Sequence, residues 1–283
     1  MRGLLTLFLL PVLQSCAQPL LLEVVMASNT PAIKAVTAKL RQHEVQIKFT
    51  EVNRTDAGSG NFNDQEFRAD DTAYFYHART VKFPIALLAL EKLTEDSRIS
   101  RKVPFTVQGE LESSSFEREI IERFLVSDNQ AYNRLFEHLG KDGIHHRGIM
   151  QRLIFPELFA ENQRFHLAAT DREFVLGIKQ TLPYEAGFDR NEYYDSYVRF
   201  FLFGDSREPL PGHIKIYNKV GFAYGTLTHC AYIKNTLTSK EYIITATVLV
   251  NENQTFNDDN CEYNEIGLPF LAELGRQLLR VSN

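Results

Sequence analysis

The chain has 283 residues, a formal net charge of −5 and 44% hydrophobic residues. That length and apolar content suffice for a sizeable buried core, which excludes a disordered chain. The slightly acidic balance excludes a nucleic-acid binder, or a protein held on anionic lipid by charge.

The first residues read as an export signal. Arg2 supplies a minimal positive region, and Leu4 to Leu13 form an apolar stretch too short to span a bilayer. Leu13-Gln14-Ser15-Cys16 has the form of a bacterial lipobox and predicts lipidation at Cys16. Ser15 and Ala17 equally satisfy a small-x-small cleavage site that would release a soluble chain starting at Gln18. The expected location is periplasmic or outer-membrane, with membrane contact only through the lipid anchor, or secreted under the second reading. Residues 1–16 are thus assigned to the signal. With no repeat and no linker, residues 17–283 are expected to form a single domain and a monomer. Cys230 and Cys261 are too few for a disulfide framework or a metal cluster and are expected as free, buried thiols, the alternative being a single bridge between them in an oxidising compartment.

In chain order, Pro31 to His43 places Ile33, Val36 and Leu40 at helical spacing, with a cap offered by Ser28 to Thr30. Val45 to Val52 alternates as a strand. Ala73 to Tyr76 is aromatic and β-prone, so the two are expected to pair across the turn-rich stretch Asp56 to Asp64. Thr80 to Leu93 is apolar nearly all round, which a helix tolerates only when buried on every side, and Pro84 falls in its first turns. A helical middle from about Phe116 to Leu182 follows. Ile214 to Val220, Leu227 to Lys234 and Tyr242 to Val250 are β-rich runs, and Gly267 to Val281 closes as an amphipathic helix. The expected class is α+β: an antiparallel five-stranded sheet built from both ends of the chain, flanked by helices, with a helical lobe inserted over about residues 79–212.

Three short motifs occur in an informative order. "YHARTVKFPIALLALEKL" opens the central helix, Ser127-Asp128-Asn129 lies in "LVSDNQAYNRLFEHLG", and Lys219-Val220-Gly221 begins a strand in "YNKVGFAYG". In order, spacing and element type the set resembles the penicillin-recognising serine hydrolases, whose class A β-lactamases carry S-x-x-K, S-D-N and K-T-G. The likeness spans most of the chain and implies a β-lactamase/transpeptidase-like fold. It also implies hydrolysis of a β-lactam or peptidoglycan-peptide amide without a cofactor or metal.

In this register Lys82 takes the place of the activating lysine, on one helix face with a nucleophile three residues earlier. That earlier residue is Arg79. An arginine cannot form an acyl-enzyme and stays protonated, so the usual route is expected to be closed. Two cations at i and i+3 repel, which is expected to drive Lys82 toward its neutral form or into pairing with Ser127 or Asn129. Ser127 resembles the family's proton-relay serine, Asn129 its substrate-amide contact and Lys219 its strand lysine. Val220 replaces a hydroxyl residue that would contact the substrate carboxylate. By position, the oxyanion hole falls to the backbone N–H groups of Arg79 and Phe222, beside Gly221.

The deacylating glutamate of class A enzymes has no counterpart in register: Phe155 stands in its place, with Glu157 and Glu161 expected as solvated loop charges. His145 and His146 lack a carboxylate at ligand spacing. The functional expectation is an exported, catalytically silent homologue that keeps a cationic cleft for a β-lactam or peptidoglycan-derived peptide. The alternative is an active class A-like hydrolase using a relocated hydroxyl. Ser127 is the better placed for that role, because Thr80 is turned about 100° from residue 79.

Overall fold

The structure is a computed structural model. It describes residues 20–54, 60–69, 75–76, 78–95, 99–125, 129–140, 200–206, 211–255, 258 and 260–281. Strands β1 (Gln46–Arg54) and β2 (Gly60–Phe67) join β5 (Ile214–Ala223), β6 (Thr226–Asn235) and β7 (Glu241–Leu249) in one antiparallel sheet of order β2-β1-β7-β6-β5. The fold is therefore α+β, with strands from both ends of the chain in a single sheet. Between β2 and β5 run a 3₁₀ turn (Ala78–Val81), helix α4 (Lys82–Glu95), a small hairpin of β3 (Pro104–Thr106) and β4 (Ser113–Ser115), and helices α5 (Phe116–Leu125) and α6 (Asn129–Leu139).

Each face of the sheet carries its own core. On one face Ile47, Phe49, Ile216, Ile233, Ile244 and Val248 pack against α1 (Leu21–Met26), α2 (Pro31–Thr37) and the closing helix α7 (Leu268–Val281). On the other, Val52, Tyr232 and Ile243 pack against α4, α5 and α6. β6 and β7 are covered on both faces and buried almost throughout, β7 through a largely apolar and β-branched run and β6 with Thr226, Thr228, His229 and Asn235 buried among its apolar residues. α4 is buried from Ile85 through Leu90, as an all-round apolar helix must be. Lysines at both of its ends hold it to α6: Lys82 Nζ donates to Asn129 Oδ1, and Lys92 Nζ to the carbonyl of His138. The two helices therefore run parallel, with their N-termini side by side.

The partner of β1 differs from expectation. Phe75 and Tyr76 lie outside any strand, and the ladder partner is the Asn/Asp-rich stretch Gly60–Phe67, registered as Thr50↔Asp64. β2 is an edge strand, where polar side chains are tolerated because one side of the ladder faces outward. Lys48 pairs with Asp64 and Glu66, and Thr50 Oγ1 donates to Asp64 Oδ1 at 2.6 Å, so the residues that suggested a turn form cross-strand contacts.

The expected helix over Pro31 to His43 breaks at Ala38 and Lys39 into α2 and α3 (Leu40–His43), and Thr30 occupies the cap position without a side-chain cap bond. Helix α1 was not anticipated. A π-type turn (Tyr263–Gly267) precedes α7. Cys230 and Cys261 form no disulfide and are half-buried as whole residues. Among the described residues no helix is long and apolar enough to cross a membrane.

Candidate active-site cleft

The cleft lies where the N-terminus of α4 meets β5. Alternation along β5 sends Tyr217, Lys219 and Gly221 to the face covered by α4, and Ile216, Val220 and Phe222 to the face covered by α7. Gly221 is where strand and helix touch. A Cβ built on it would lie 2.7 Å from the backbone nitrogen of Arg79, 2.9 Å from that of Thr80 and 3.1 Å from the Ala78 Cβ. Only glycine fits this approach, and it sets the Arg79 backbone N–H directly against the strand. Phe222 turns its ring to the opposite core, edge-on to Tyr263 at 5.6 Å, so only its backbone is left for the cleft. Val220 packs on that same core.

The chain enters α4 under strain. Ala78 has φ +46°, a left-handed conformation that a residue with a Cβ adopts at a cost. The kink carries the Arg79 backbone N–H inward to Gly221 while the Arg79 side chain is exposed.

Lys82, first residue of α4, is 5% exposed, and its Nζ donates to Asn129 Oδ1 at 2.7 Å. Lys219 is 6% exposed, with its Nζ 3.3 Å from the Val220 carbonyl oxygen, which accepts its hydrogen bond. Burying two ammonium groups costs desolvation that partners must offset, and such costs are met at functional sites and in structural networks alike. Opposite Lys219 on β6 stands Cys230, whose thiol burial pushes up to about 11 against the opposing pull of Thr245 and Lys219. It stays a protonated thiol at neutral pH and is no nucleophile.

The structure thus brings together Arg79, Lys82, Asn129, Lys219 and Gly221 and assigns Phe222 a backbone position. Ser127 lies outside the described residues, as do Cys16, His145, His146, Phe155, Glu157 and Glu161. Two residues that the sequence did not single out flank the cleft: Tyr76 and Tyr224, both exposed, pair their rings at 5.6 Å across the same seam. Tyr224 follows β5 in a left-handed turn position, φ +55°. Its place in "FAYG" beside a strand end was the available signal. Among the described residues no group of three or more His, Cys, Asp or Glu side chains could hold a metal.

Solved structures share this architecture. The TLA-3 extended-spectrum β-lactamase matches with a TM-score of 0.61 at 14% identity, over 93% of this chain and 98% of that one. A β-lactamase from Xanthomonas campestris matches at 0.59 and 15%, over 91% and 97%. A PBP-A variant, solved as its acyl-enzyme complex with penicillin G, matches at 0.57 and 13%, over 93% and 95%. The chain has the β-lactamase fold. No protein-family model matches the sequence, and no curated protein does. At these identities the β-lactamase fold is what is shared, and chemistry must be argued from the cleft itself.

Proposed function

We propose that this protein is an exported β-lactamase-like serine hydrolase homologue, silenced at the nucleophile position by Arg79 and retaining a cationic cleft. The observation that carries the reading is Gly221 seated on the Arg79 backbone nitrogen, with Lys82 bonded to Asn129 beside it. A framework suited to an acyl-transfer site surrounds a side chain that cannot be acylated. Arg79, Lys82 and Lys219 bring three cationic side chains to one seam, which favours a carboxylate-bearing ligand such as a peptidoglycan-derived peptide or an opened β-lactam. The Lys82–Asn129 bond is then structural: it gives a buried ammonium an acceptor and moves no proton.

Fluorescent penicillin tests this directly. The native protein forms no stable adduct and hydrolyses nitrocefin no faster than buffer, whereas Arg79→Ser gains labelling, because a hydroxyl is restored in front of an existing lysine and backbone donor. Labelling of the native protein that disappears in Ser127→Ala would overturn the silent reading in favour of a relocated nucleophile. Export rests on the h-region ending at Cys16. Mass spectrometry of the mature N-terminus is expected to find a lipidated Cys16, and an unmodified chain beginning at Gln18 would replace the anchor with simple secretion.

A further inference from the structure

Helix α1 has two apolar faces, and the body of the protein uses only one. Leu22, Val25 and Met26 are buried, and the Leu22 backbone N–H donates to Gln65 Oε1 of β2 at 2.8 Å, which fixes the helix against β2 and α7. On the outer face Leu20, at the N-cap, is 47% exposed, and Val24, one turn further, is 43% exposed. Ala27 continues the stripe, with half-buried Leu21 beside it. Glu23 is the one charged residue of the helix. A helix of this length is held by its packed inner face, so an apolar outer face adds nothing to its stability.

The position of the stripe in the chain indicates what covers it. Only Ala17, Gln18 and Pro19 separate Leu20 from Cys16. Four Cα-to-Cα steps reach at most about 14 Å in any conformation. A lipid on Cys16 therefore keeps Leu20 close to the headgroup layer, which is itself about 5–7 Å deep on each side of a bilayer. So short a tether permits only orientations with the α1 end toward the membrane. Among these, the one that lays Leu20, Val24 and Ala27 on the lipid removes apolar surface from water.

With Cys16 lipidated, as in the function proposed for this chain, we infer that the outer face of α1 is a membrane-contacting surface that seats the anchored protein on the bilayer in one orientation. The stripe is too small to hold the protein on lipid by itself, and Glu23 keeps the contact shallow: the anchor supplies attachment and the stripe supplies direction. Such seating also aims the cleft. α1 packs beside β2 on the face of the sheet covered by α7, whereas the Arg79 seam lies at β5, on the other edge and the other face. Four strand spacings separate β2 from β5, about 19 Å. A bilayer against α1 leaves the cleft directed away from the membrane.

The chain contains no tryptophan, so a single introduced one reports on its own surroundings. Full-length protein carrying Ala27→Trp is expressed in a bacterial host with its own leader, checked by mass spectrometry for lipid on Cys16, and added to phosphatidylcholine vesicles with and without a headgroup nitroxide, a short-range quencher. Its emission is expected to fall by at least about half, and that of Tyr224→Trp, an equally exposed position at the far edge, by less than about a tenth. Adding Leu20→Gln and Val24→Gln to Ala27→Trp keeps the tether and removes the apolar stripe, and should reduce quenching at least about twofold. Melting curves establish that each variant folds. Lipidated protein in which Ala27→Trp is quenched no more than Tyr224→Trp, or in which the two glutamines change nothing, would overturn the membrane face and leave the anchor intact. An unmodified N-terminus would remove the anchor and the membrane face with it. Emission of Ala27→Trp that is already blue-shifted in a vesicle-free chain beginning at Gln18, increasingly so with concentration, would assign the face to a second copy instead.

Discussion

β6 and β7 keep regular strand geometry and bury both faces, while the seam between α4 and β5 breaks several local rules within a dozen residues. In the central strands, β-branched runs meet burial on both faces, and the one buried carboxylate at the start of β7, Glu241, is bonded by Arg54, Tyr232 and Lys234. At the seam a non-glycine residue is held at positive φ, two lysines are buried, and strand and helix approach so closely that no Cβ fits between them. Sequences that fold well are consistent across levels, and local exceptions gather where function once set or still sets the requirement. The seam carries the local costs expected of a functional site, around Arg79.

The sharpest way to break this contrast is at the point of contact. Gly221→Ala would place a methyl group against two backbone nitrogens, which cannot swing aside as a side-chain end can. A loss of about 1–3 kcal/mol in chemical denaturation is expected, with faster amide exchange at Arg79 and Thr80 as α4 separates from β5. A loss under about 0.5 kcal/mol would show that the seam is loose and the backbone donor of Arg79 not held in place.

How far the sequence reached follows the same division. The strands β5 to β7 were legible from β-prone residues set between Gly-containing or polar turns, and the helix α4 because burial on all sides leaves it apolar nearly all round. β2 was not, since an edge strand with Asn61, Asn63, Asp64 and Glu66 carries the composition of a turn, and its pairing is set by the ladder with β1. α1 and the break at Lys39 were likewise hidden, one too short and the other without Gly or Pro to mark it. At the candidate site, the order of motifs singled out Arg79, Lys82, Asn129, Lys219 and Gly221, of which the structure sets Gly221 against Arg79 and bonds Lys82 to Asn129. It could not reveal that Phe222 and Val220 face the other core, which depends on the phase of strand alternation relative to the helices. The left-handed Ala78 leaves no local signal, and the pairing of Tyr76 with Tyr224 arises from tertiary closure, although "FAYG" marks the turn that carries Tyr224.

A smaller effect measures how a buried charge behaves when it is well partnered. Burial alone would raise the Glu241 carboxyl, but the hydrogen bonds from Arg54, Tyr232 and Lys234 outweigh it and hold the pKa below its ordinary 4.5. A lowered folded pKa means that the contribution is complete above 4.5 and is lost as pH falls through the folded value. Glu241→Gln is therefore expected to cost about 1–2 kcal/mol at pH 7, with the difference from the native protein shrinking as pH drops below 4.5. Melting curves between pH 7 and pH 3 check both the size and the sign. A constant difference across that range would mean that the carboxylate charge is not what stabilises the cluster.

Lys82 supplies the opposite case and the smallest expected change. Its ammonium is buried at the seam with Asn129 Oδ1 as an acceptor at 2.7 Å, where an acyl-transfer enzyme would need a base. Where catalysis requires such a group, its desolvation is tolerated for the sake of rate, and replacing it with an apolar residue of similar length raises stability while removing activity. If the chain is silent, as proposed, only the first half of that trade remains. Lys82→Met should therefore change unfolding free energy by less than about 1 kcal/mol, in the stabilising direction, because methionine fills the same channel without a charge to desolvate. Asn129→Ala moves the other way, by about 1 kcal/mol, since it removes one acceptor from a buried donor and leaves the charge in place. Made together, the two substitutions should be far from additive: once Lys82 is gone, losing Asn129 costs little, and a double-mutant cycle isolates that coupling. If Lys82→Met instead lost more than about 2 kcal/mol, the lysine would be a structural keystone of this chain, and its burial no residue of catalysis at all.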